Sequence, residues 1–255
     1  EAEISVPAGT EALTVILDLP DGFALQDGTE TADGWVKSFT LVKGEPLELV
    51  VIEAEVQNPV AQIGDAKYTT LSAAIEAATE GAAEITLLAD IATDAAFVVT
   101  KTVAINLNGK TVSATKNDTE GNGVFWVQQG GVLTINGNGT VNGVGGNNYN
   151  IAIWADGGSV IINGGTYTNV GAVDAGPGNH FDLIYAKNGG SGAIKGGTFI
   201  CQTPRWTLNR KNEDTTGGFV VTGGKFYRYN PTDFDTDEPV NTWCPEGYEA
   251  THEDD

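Results

Sequence analysis

The sequence predicts an all-β protein: a parallel β-helix, that is, a solenoid of stacked coils, with an N-terminal cap helix and a preceding small β-sandwich domain. Two repeated motifs and one short helical segment indicate this fold. In the first motif a β-branched and a polar residue precede a glycine pair or Asn-Gly, and a β-branched or aromatic residue follows. Its copies recur at intervals of roughly 30 residues and begin at Ile105, Ile135, Ile162, Ile194 and Val221.

The second motif is a Gly-Gly pair that follows an apolar, strand-like segment. The pairs come directly after Gln129, Asp156 and Asn188, and the apolar segments are 124–127, 151–155 and 183–186. Because both motifs repeat in step, they indicate stacked coils that bury one continuous apolar column. A β-sandwich or barrel with glycine-rich hairpins is the alternative, but hairpin strands would not keep two motifs in register.

Residues 1–57 are predicted to form a separate small β-sandwich domain of the immunoglobulin-like kind. Turn signals such as Asp33-Gly34 separate its strand-like segments. Those segments are 4–6, 13–17, 35–42 and 47–52. Short strands at this spacing are typical of an antiparallel sandwich.

Residues 58–228 are predicted to form the β-helix, with a cap helix near residues 70–79. Thr70 is a suitable N-cap for that helix. Its apolar stripe consists of Leu71, Ala74, Ile75 and Ala78. The helix is expected to cover the open end of the solenoid, where strand edges would otherwise be unpaired. Residues 229–255 are predicted to be an irregular, acidic C-terminal cap and tail.

The cap segment carries a resemblance to a known group of proteins. Residues 63–78, followed by 85–91, resemble the N-terminal cap of right-handed parallel β-helix (pectin-lyase-like) modules, which occur in surface proteins of gut bacteria and in phage virion proteins. The Gly-Gly-Thr-Phe segment at 196–199 and the closing residues 246–250 are similar to the same group. The resemblance spans residues 58–250 and implies a right-handed solenoid at a cell or virion surface, but no particular chemistry.

The charge of the chain excludes two classes of partner. Its 255 residues include 34 acidic and 13 basic side chains, a formal net charge of −21. Such a surface repels nucleic acid and anionic lipid, so we expect neither as a partner. No apolar stretch approaches the roughly 20 residues that span a bilayer, so no membrane insertion is expected. Because the sequence begins with Glu1 and contains no methionine, it is expected to be a piece of a longer protein.

No set of catalytic residues is predicted. Polysaccharide lyases and hydrolases of this fold group carboxylates with Arg or Lys on one strand face. The second motif aligns Gln129, Asp156 and Asn188 in one column with Lys187 beside it, which indicates a polar ladder at the turns. His180 and Asp182 could form an acid–base pair, or lie in a solvated loop. Trp154 and Tyr185 continue strands and are expected to face inward.

The loop at residues 203–217 is the predicted ligand-binding site. It carries Arg205, Trp206, Arg210 and Lys211, the basic cluster of an otherwise acidic chain. Aromatic rings stack on sugar faces and arginine binds carboxylates through two parallel hydrogen bonds, so we expect a glycan or a protein partner there. The alternative is a contact that neutralises acidic neighbours in the same chain or in another copy.

Two smaller groups of residues also have two interpretations. Asp233, Asp235 and Asp237 alternate as at the start of a calcium loop but lack the glycine and the glutamate of an EF-hand, so they could bind calcium or form a solvated acidic run. Cys201 and Cys244 could form a disulfide, as expected in an oxidising compartment, or remain reduced. No other cofactor is indicated.

The sequence therefore predicts a non-catalytic extracellular surface module, a rigid structural or adhesive element that binds glycans. Its partners would be a protein scaffold and a glycan, and solenoid fibres often assemble as trimers. The first alternative is a phage virion protein, a capsid decoration or a fibre, that docks through its N-terminal domain. The second alternative is a polysaccharide lyase or hydrolase.

Overall fold

A computed structural model of the chain describes residues 9–19, 23–42, 48–53, 58–79, 84–116, 123–143, 151–171, 181–233 and 242–252. The chain divides into two compact units, Glu1–Gln57 and Asn58–Asp255. Among the described helices, none is long and apolar enough to cross a membrane.

The first unit contains small antiparallel sheets. Its described strands are β1 (Ala12–Leu17), β2 (Phe23–Leu25), β3 (Thr29–Thr31), β4 (Gly34–Thr40) and β5 (Val51–Glu53). Strand β4 pairs with both β1 and β3, and β2 pairs with β5. Alternate residues of β1 are partly buried, as expected for a strand with one face toward the interior of its domain.

The second unit consists of short strands, one α-helix and one 3₁₀ turn within its described residues. The strands are β6 (Ala61–Ile63), β7 (Ala66–Tyr68), β8 (Ile85–Leu87), β9 (Ile91–Thr93), β10 (Phe97–Val99), β11 (Thr102–Asn106), β12 (Thr111–Ala114), β13 (Phe125–Gln128), β14 (Val132–Asn136), β15 (Thr140–Asn142), β16 (Ile153–Asp156), β17 (Ser159–Ile162), β18 (Thr166–Thr168), β19 (Ile184–Lys187), β20 (Ser191–Ile194), β21 (Thr198–Ile200), β22 (Leu208–Arg210), β23 (Gly218–Val221) and β24 (Lys225–Phe226). The helix α1 is Leu71–Ala77, and the 3₁₀ turn is Pro204–Trp206.

The described strands of this unit form three sheets that run along the solenoid. Sheet I has the order β10-β13-β16-β19-β22, sheet II the order β23-β20-β17-β14-β11-β8-β6-β7, and sheet III the order β24-β21-β18-β15-β12-β9. All described pairings are parallel, except that β6 is antiparallel to β7 and β8. From β10 onward each coil contributes one strand to each sheet, and the first described coil contributes β8 and β9 to sheets II and III, so the predicted β-solenoid is confirmed.

The core is built from columns of residues that the repeats bring into register. The first-motif residues Ile105, Ile135, Ile162 and Ile194 are aligned in sheet II and fully buried. In sheet III the corresponding column ends in stacked rings, with centroids 5.1 Å apart for Tyr167–Phe199 and 4.7 Å for Phe199–Phe226. Each aliphatic side chain of this size contributes about 2 kcal/mol by leaving water, so the columns stabilise the stack.

The polar residue of the first motif links neighbouring coils. Asn106 and Asn136 each donate a side-chain hydrogen bond to the carboxylate of Glu84, the first at 2.8 Å. Asn163 donates in turn to the Asn136 side-chain oxygen at 2.7 Å. This ladder satisfies polar groups at the turn after sheet II, and a single carboxylate holds its first two rungs.

The glycine of the second motif is required by the close approach of the coils. A Cβ at Gly131, Gly158 or Gly190 would lie 2.2, 2.5 or 1.8 Å from a backbone carbonyl oxygen of the preceding coil. No side chain fits at such distances, since van der Waals contact needs more than 3 Å. The recurrence of the pair therefore reflects the spacing of the coils.

Helix α1 covers the first coil, as predicted. The Thr70 hydroxyl accepts a hydrogen bond from the Ala73 amide at 3.1 Å and caps its N-terminus. Leu71, Ala74 and Ile75 are buried against the core. At the other end Lys101 donates to backbone carbonyls at 2.6 and 2.7 Å, which places a cation at the negative end of the helix.

Residues 242–248 lie over the last coil. The Trp243 ring contacts Phe219 edge to face, with centroids 5.4 Å apart, and its backbone carbonyl accepts from the Val221 amide at 2.9 Å. The Arg210 guanidinium lies 5.5 Å from the centre of the Trp243 ring. The apolar end of the column is thus covered by an aromatic side chain.

We expect Gly190→Ala to lower the free energy of unfolding by about 3 kcal/mol or more, because the added methyl must displace a carbonyl of the neighbouring coil. Gly109→Ala is the matched control: its Cβ meets nothing within 4 Å, and only its positive φ of 72° opposes the change. That strain costs about 1 kcal/mol. Urea denaturation of both variants measures the difference, and equal losses would contradict the close-approach explanation.

Candidate functional site

The outer face of sheet I carries a column of large side chains. Strand pairing aligns Trp126 with Trp154, Trp154 with Tyr185 and Tyr185 with Asn209. The expectation that Trp154 and Tyr185 face inward is wrong. Successive strand residues point to opposite faces, and the residues on either side of Trp154, Ile153 and Ala155, occupy the core. Trp154 is nevertheless only 2% exposed, so neighbours cover most of it on the outer face.

A second outer column carries charge. It aligns Gln128, Asp156 and Lys187, not Gln129, Asp156 and Asn188 as predicted. The difference arises because Asp156 directly precedes its glycine pair, whereas Gln128 and Lys187 are each followed by one more residue before theirs. The turn of the middle coil is one residue shorter, and a carboxylate is thereby set beside a lysine.

Asp156 is held by three donors. Its oxygens accept hydrogen bonds from Asn188 Nδ2 at 2.6 Å and from Trp126 Nε1 at 3.0 Å. Lys187 Nζ lies 3.3 Å away and also 5.2 Å from the centre of the Trp154 ring. Partial burial alone would raise the pKa of Asp156, but the hydrogen bonds from Asn188 and Trp126 and the charge of Lys187 outweigh it and lower that pKa from its ordinary value. Asp156 is therefore a fixed anion.

A cleft of about 310 Å³ opens on this face. Its walls are Ile151, Trp154, Asp182, Tyr185, Lys187, Asn188 and Lys211. The Trp154 and Tyr185 rings meet edge to face with centroids 5.4 Å apart. Lys211 is exposed and lies 3.8 Å from the exposed carboxylate of Glu213, a pairing that water weakens. The cleft thus combines aromatic surface with two lysines on a strongly acidic chain.

A second carboxylate, Asp182, lies in the wall of the cleft in a different environment. Asn209 Nδ2 donates to its Oδ1 at 2.7 Å. Burial raises the pKa of Asp182 to about 7, and the hydrogen bond from Asn209 offsets only part of that rise. Asp156 and Asp182 therefore have pKa values shifted in opposite directions, a pattern that accompanies acid–base chemistry and ligand sites.

The four residues of the predicted binding loop do not form one exposed surface. Residues 208–210 form β22 and continue sheet I, because Leu208 aligns with the core residue Ile184. Arg210 is 5% exposed and Trp206 is 7% exposed, so neither presents a free surface to a ligand. Arg205 is exposed and lies 4.9 Å from the centre of the Trp206 ring. Only Lys211 of the four lines the cleft.

The predicted calcium ligands, His180 and the two cysteines do not form a site in the described residues. Asp233 is exposed, whereas Asp235, Asp237 and His180 lie outside the described residues. Within the described part of the chain no three His, Cys, Asp or Glu side chains are grouped to hold a metal ion. Cys201 and Cys244 are free thiols rather than a disulfide. Cys201 Sγ donates to the Phe181 carbonyl at 2.9 Å, and burial raises its pKa to about 12, so it is not a reactive thiolate.

Sequence reasoning missed Asp182, Tyr185 and Asn209 as members of one site. The two-residue alternation of β19, in which Ile184 and Ala186 take the core positions, could have identified Tyr185 as an outer residue beside Lys187. It carries no signal for Asp182 or Asn209.

Comparisons of the chain with protein-family models, with curated proteins and with solved structures find no match. The chemistry of the cleft is therefore the starting point for a functional proposal.

We expect Asp182→Asn to change how stability depends on pH. The folded chain holds the Asp182 proton up to about pH 7, whereas the ordinary pKa is 3.8, so Asp182 makes folding less favourable as pH rises between these values. Relative to the unsubstituted chain, the variant should gain up to about 4 kcal/mol of unfolding free energy between pH 4 and pH 8. Urea denaturation across that range measures the gain.

Asp214→Asn is the control, because its unfolding free energy is expected to change with pH in the opposite direction. Hydrogen bonds led by the one from the Gly189 amide lower the pKa of Asp214, so its contribution is present above the ordinary pKa and is lost as pH falls. Asp214→Asn should therefore lose stability relative to the unsubstituted chain as pH rises through the acid range. If the unfolding free energies of Asp182→Asn and of the unsubstituted chain change with pH in parallel, Asp182 ionises in its ordinary range.

Proposed function

We propose that the chain is a non-catalytic extracellular surface module, a rigid β-solenoid that binds a glycan in the cleft on sheet I. The observation that carries the proposal is the composition of that cleft: Trp154 and Tyr185 beside Lys187 and Lys211, in about 310 Å³. This volume is at the lower end of the range for small-molecule sites.

The side chains of the cleft suit a sugar. The apolar face of a sugar ring packs on aromatic carbon, and Tyr185, which is partly exposed, offers more of its ring than Trp154 does. Asn188 and Lys211 are exposed at the rim, where an amide and an ammonium group can hydrogen-bond to sugar hydroxyls. The one apolar aliphatic wall residue, Ile151, is buried.

The scaffold supports binding by holding these groups in place before a ligand arrives. Lys187 is only 8% exposed and is fixed between Asp156 and the Trp154 ring. Side chains held by strands and by neighbouring contacts lose little entropy on binding. In this proposal residues 1–57 attach the solenoid to a larger protein scaffold, on a cell surface or a virion.

A polysaccharide hydrolase is the second candidate, and one observation favours it. A hydrolase needs a carboxylic acid that is protonated near neutral pH, and the Asp182 pKa of about 7 meets that requirement at the cleft wall. The second carboxylate, Asp156, is engaged by Asn188, Trp126 and Lys187, which leaves it poorly placed to attack a sugar or to activate water. Binding without turnover is therefore the preferred proposal.

A glycan-array screen of the intact chain tests the proposal. We expect binding that Lys211→Ala weakens about tenfold, since each good contact of a small ligand contributes 1 to 2 kcal/mol. Tyr185→Ala should weaken it at least as much. Lys195→Ala is the matched control, because Lys195 is an exposed lysine that follows β20 in sheet II, away from the cleft, and its loss should leave binding unchanged.

The same preparation separates the two candidates. Glycans that bind are incubated with the chain and new reducing ends are measured over time. No release, with binding intact, supports a binding module. Release that Asp182→Asn abolishes would favour the hydrolase, and no binding to any acidic or neutral glycan would refute the glycan proposal.

A further inference from the structure

The side-chain amide of Asn209 donates one hydrogen bond, but its oxygen accepts none from the described part of the chain. Its Nδ2 donates to Asp182 Oδ1 at 2.7 Å, while its own Oδ1 is buried and has no hydrogen-bond partner among the described residues. Asn209 as a whole is 8% exposed. A buried acceptor without a donor is unfavourable, so a donor is expected close by.

Asp182, which already accepts one hydrogen bond from Asn209, is the candidate for that donor if it carries a proton. A neutral carboxylic acid and a primary amide form two complementary hydrogen bonds, N–H to carboxyl oxygen and O–H to amide oxygen. An ionised carboxylate can only accept, and it would leave the Asn209 oxygen unsatisfied. Burial raises the pKa of Asp182 despite the hydrogen bond from Asn209, which lowers it, and this direction agrees with a protonated Asp182.

The other charged groups around Asp182 determine what its proton changes. Lys187 on β19 is neutralised by Asp156 on β16, 3.3 Å away. Lys211, which follows β22, keeps its charge at the mouth of the cleft and pairs only loosely with Glu213. Among the described residues, Tyr185 in the cleft wall and the thiol of Cys201, which follows β21, are further titratable neighbours. Burial raises the pKa of Cys201, with a smaller contribution from Asp182. Ionisation of Asp182 therefore lowers the charge at the wall of the cleft by one unit, whatever the balance of the other groups.

We propose that the Asp182–Asn209 pair holds a proton beside the cleft and so sets the charge that an anionic sugar meets there. The protonated cleft binds the anion more tightly than the deprotonated cleft does. This inference rests on the proposed glycan-binding function and adds to it a ligand class and a control by pH.

The first experiment needs no ligand. The chain is labelled with ¹³C at the aspartate carboxyl carbon, and the Asp182 signal is assigned by its loss in Asp182→Asn, or by its loss in Asp182→Glu if the first variant does not fold. A titration midpoint close to pH 7 is expected. A midpoint below about pH 5, near the ordinary range of aspartate, would overturn the proposal whatever the chain binds.

The second experiment measures affinity for a glucuronic-acid oligosaccharide and for its uncharged methyl ester at pH 6 and pH 8. The acid should bind at least about threefold more weakly at pH 8, the effect of one added negative charge screened by water. The ester should show no change, and Asp182→Asn should bind the acid equally at both pH values. His180→Gln, which removes a group that ordinarily titrates in this range, should retain the pH dependence.

The outcomes distinguish the two proposals. Affinity for the acid that does not change with pH, or binding confined to uncharged glycans, overturns this inference and leaves the glycan-binding proposal standing. No binding of any glycan at either pH refutes the glycan-binding function and, with it, the anionic ligand class. The carboxyl titration still decides by itself whether the pair holds a proton.

Discussion

The parallel register between coils is the constraint on which the rest of the second unit depends. From β10 onward the strands of each coil pair in parallel with those of the next coil in three sheets, so a residue type that repeats becomes a column. The buried isoleucines that begin at Ile105 form one such column, and the rings that begin at Tyr167 form another. The glycine at Gly190 and its equivalents let the backbones approach closely enough for those columns to form.

The same register assembles the candidate site. Parallel strands lie about 4.8 Å apart, so residues separated by one coil in sequence become direct neighbours. Trp154 meets Tyr185 in this way, and Asp156 meets Lys187. The outer face of sheet I therefore presents groups from several coils on a backbone that the core already fixes, which is the condition for a preorganised site.

Charge in the cleft is controlled by two carboxylates in different surroundings. Asp156 receives three donors and stays ionised, and it thereby holds Lys187 in place. Asp182 is partly buried beside one amide, and the loss of water around it favours its neutral form. A chain with a net charge of −21 can in this way keep a small region that does not repel an anion.

The sequence by itself determined the solenoid and its cap helix, because glycine pairs, buried β-branched residues and the Thr70 cap act through local geometry. Tertiary structure alone decided which side chains share the outer face. The turn after Asp156 is one residue shorter than its equivalents, and a shift of one residue exchanges every neighbour in a column. Only the structure likewise shows that Trp206 is buried, because a local sequence pattern does not say how much of a side chain its surroundings cover.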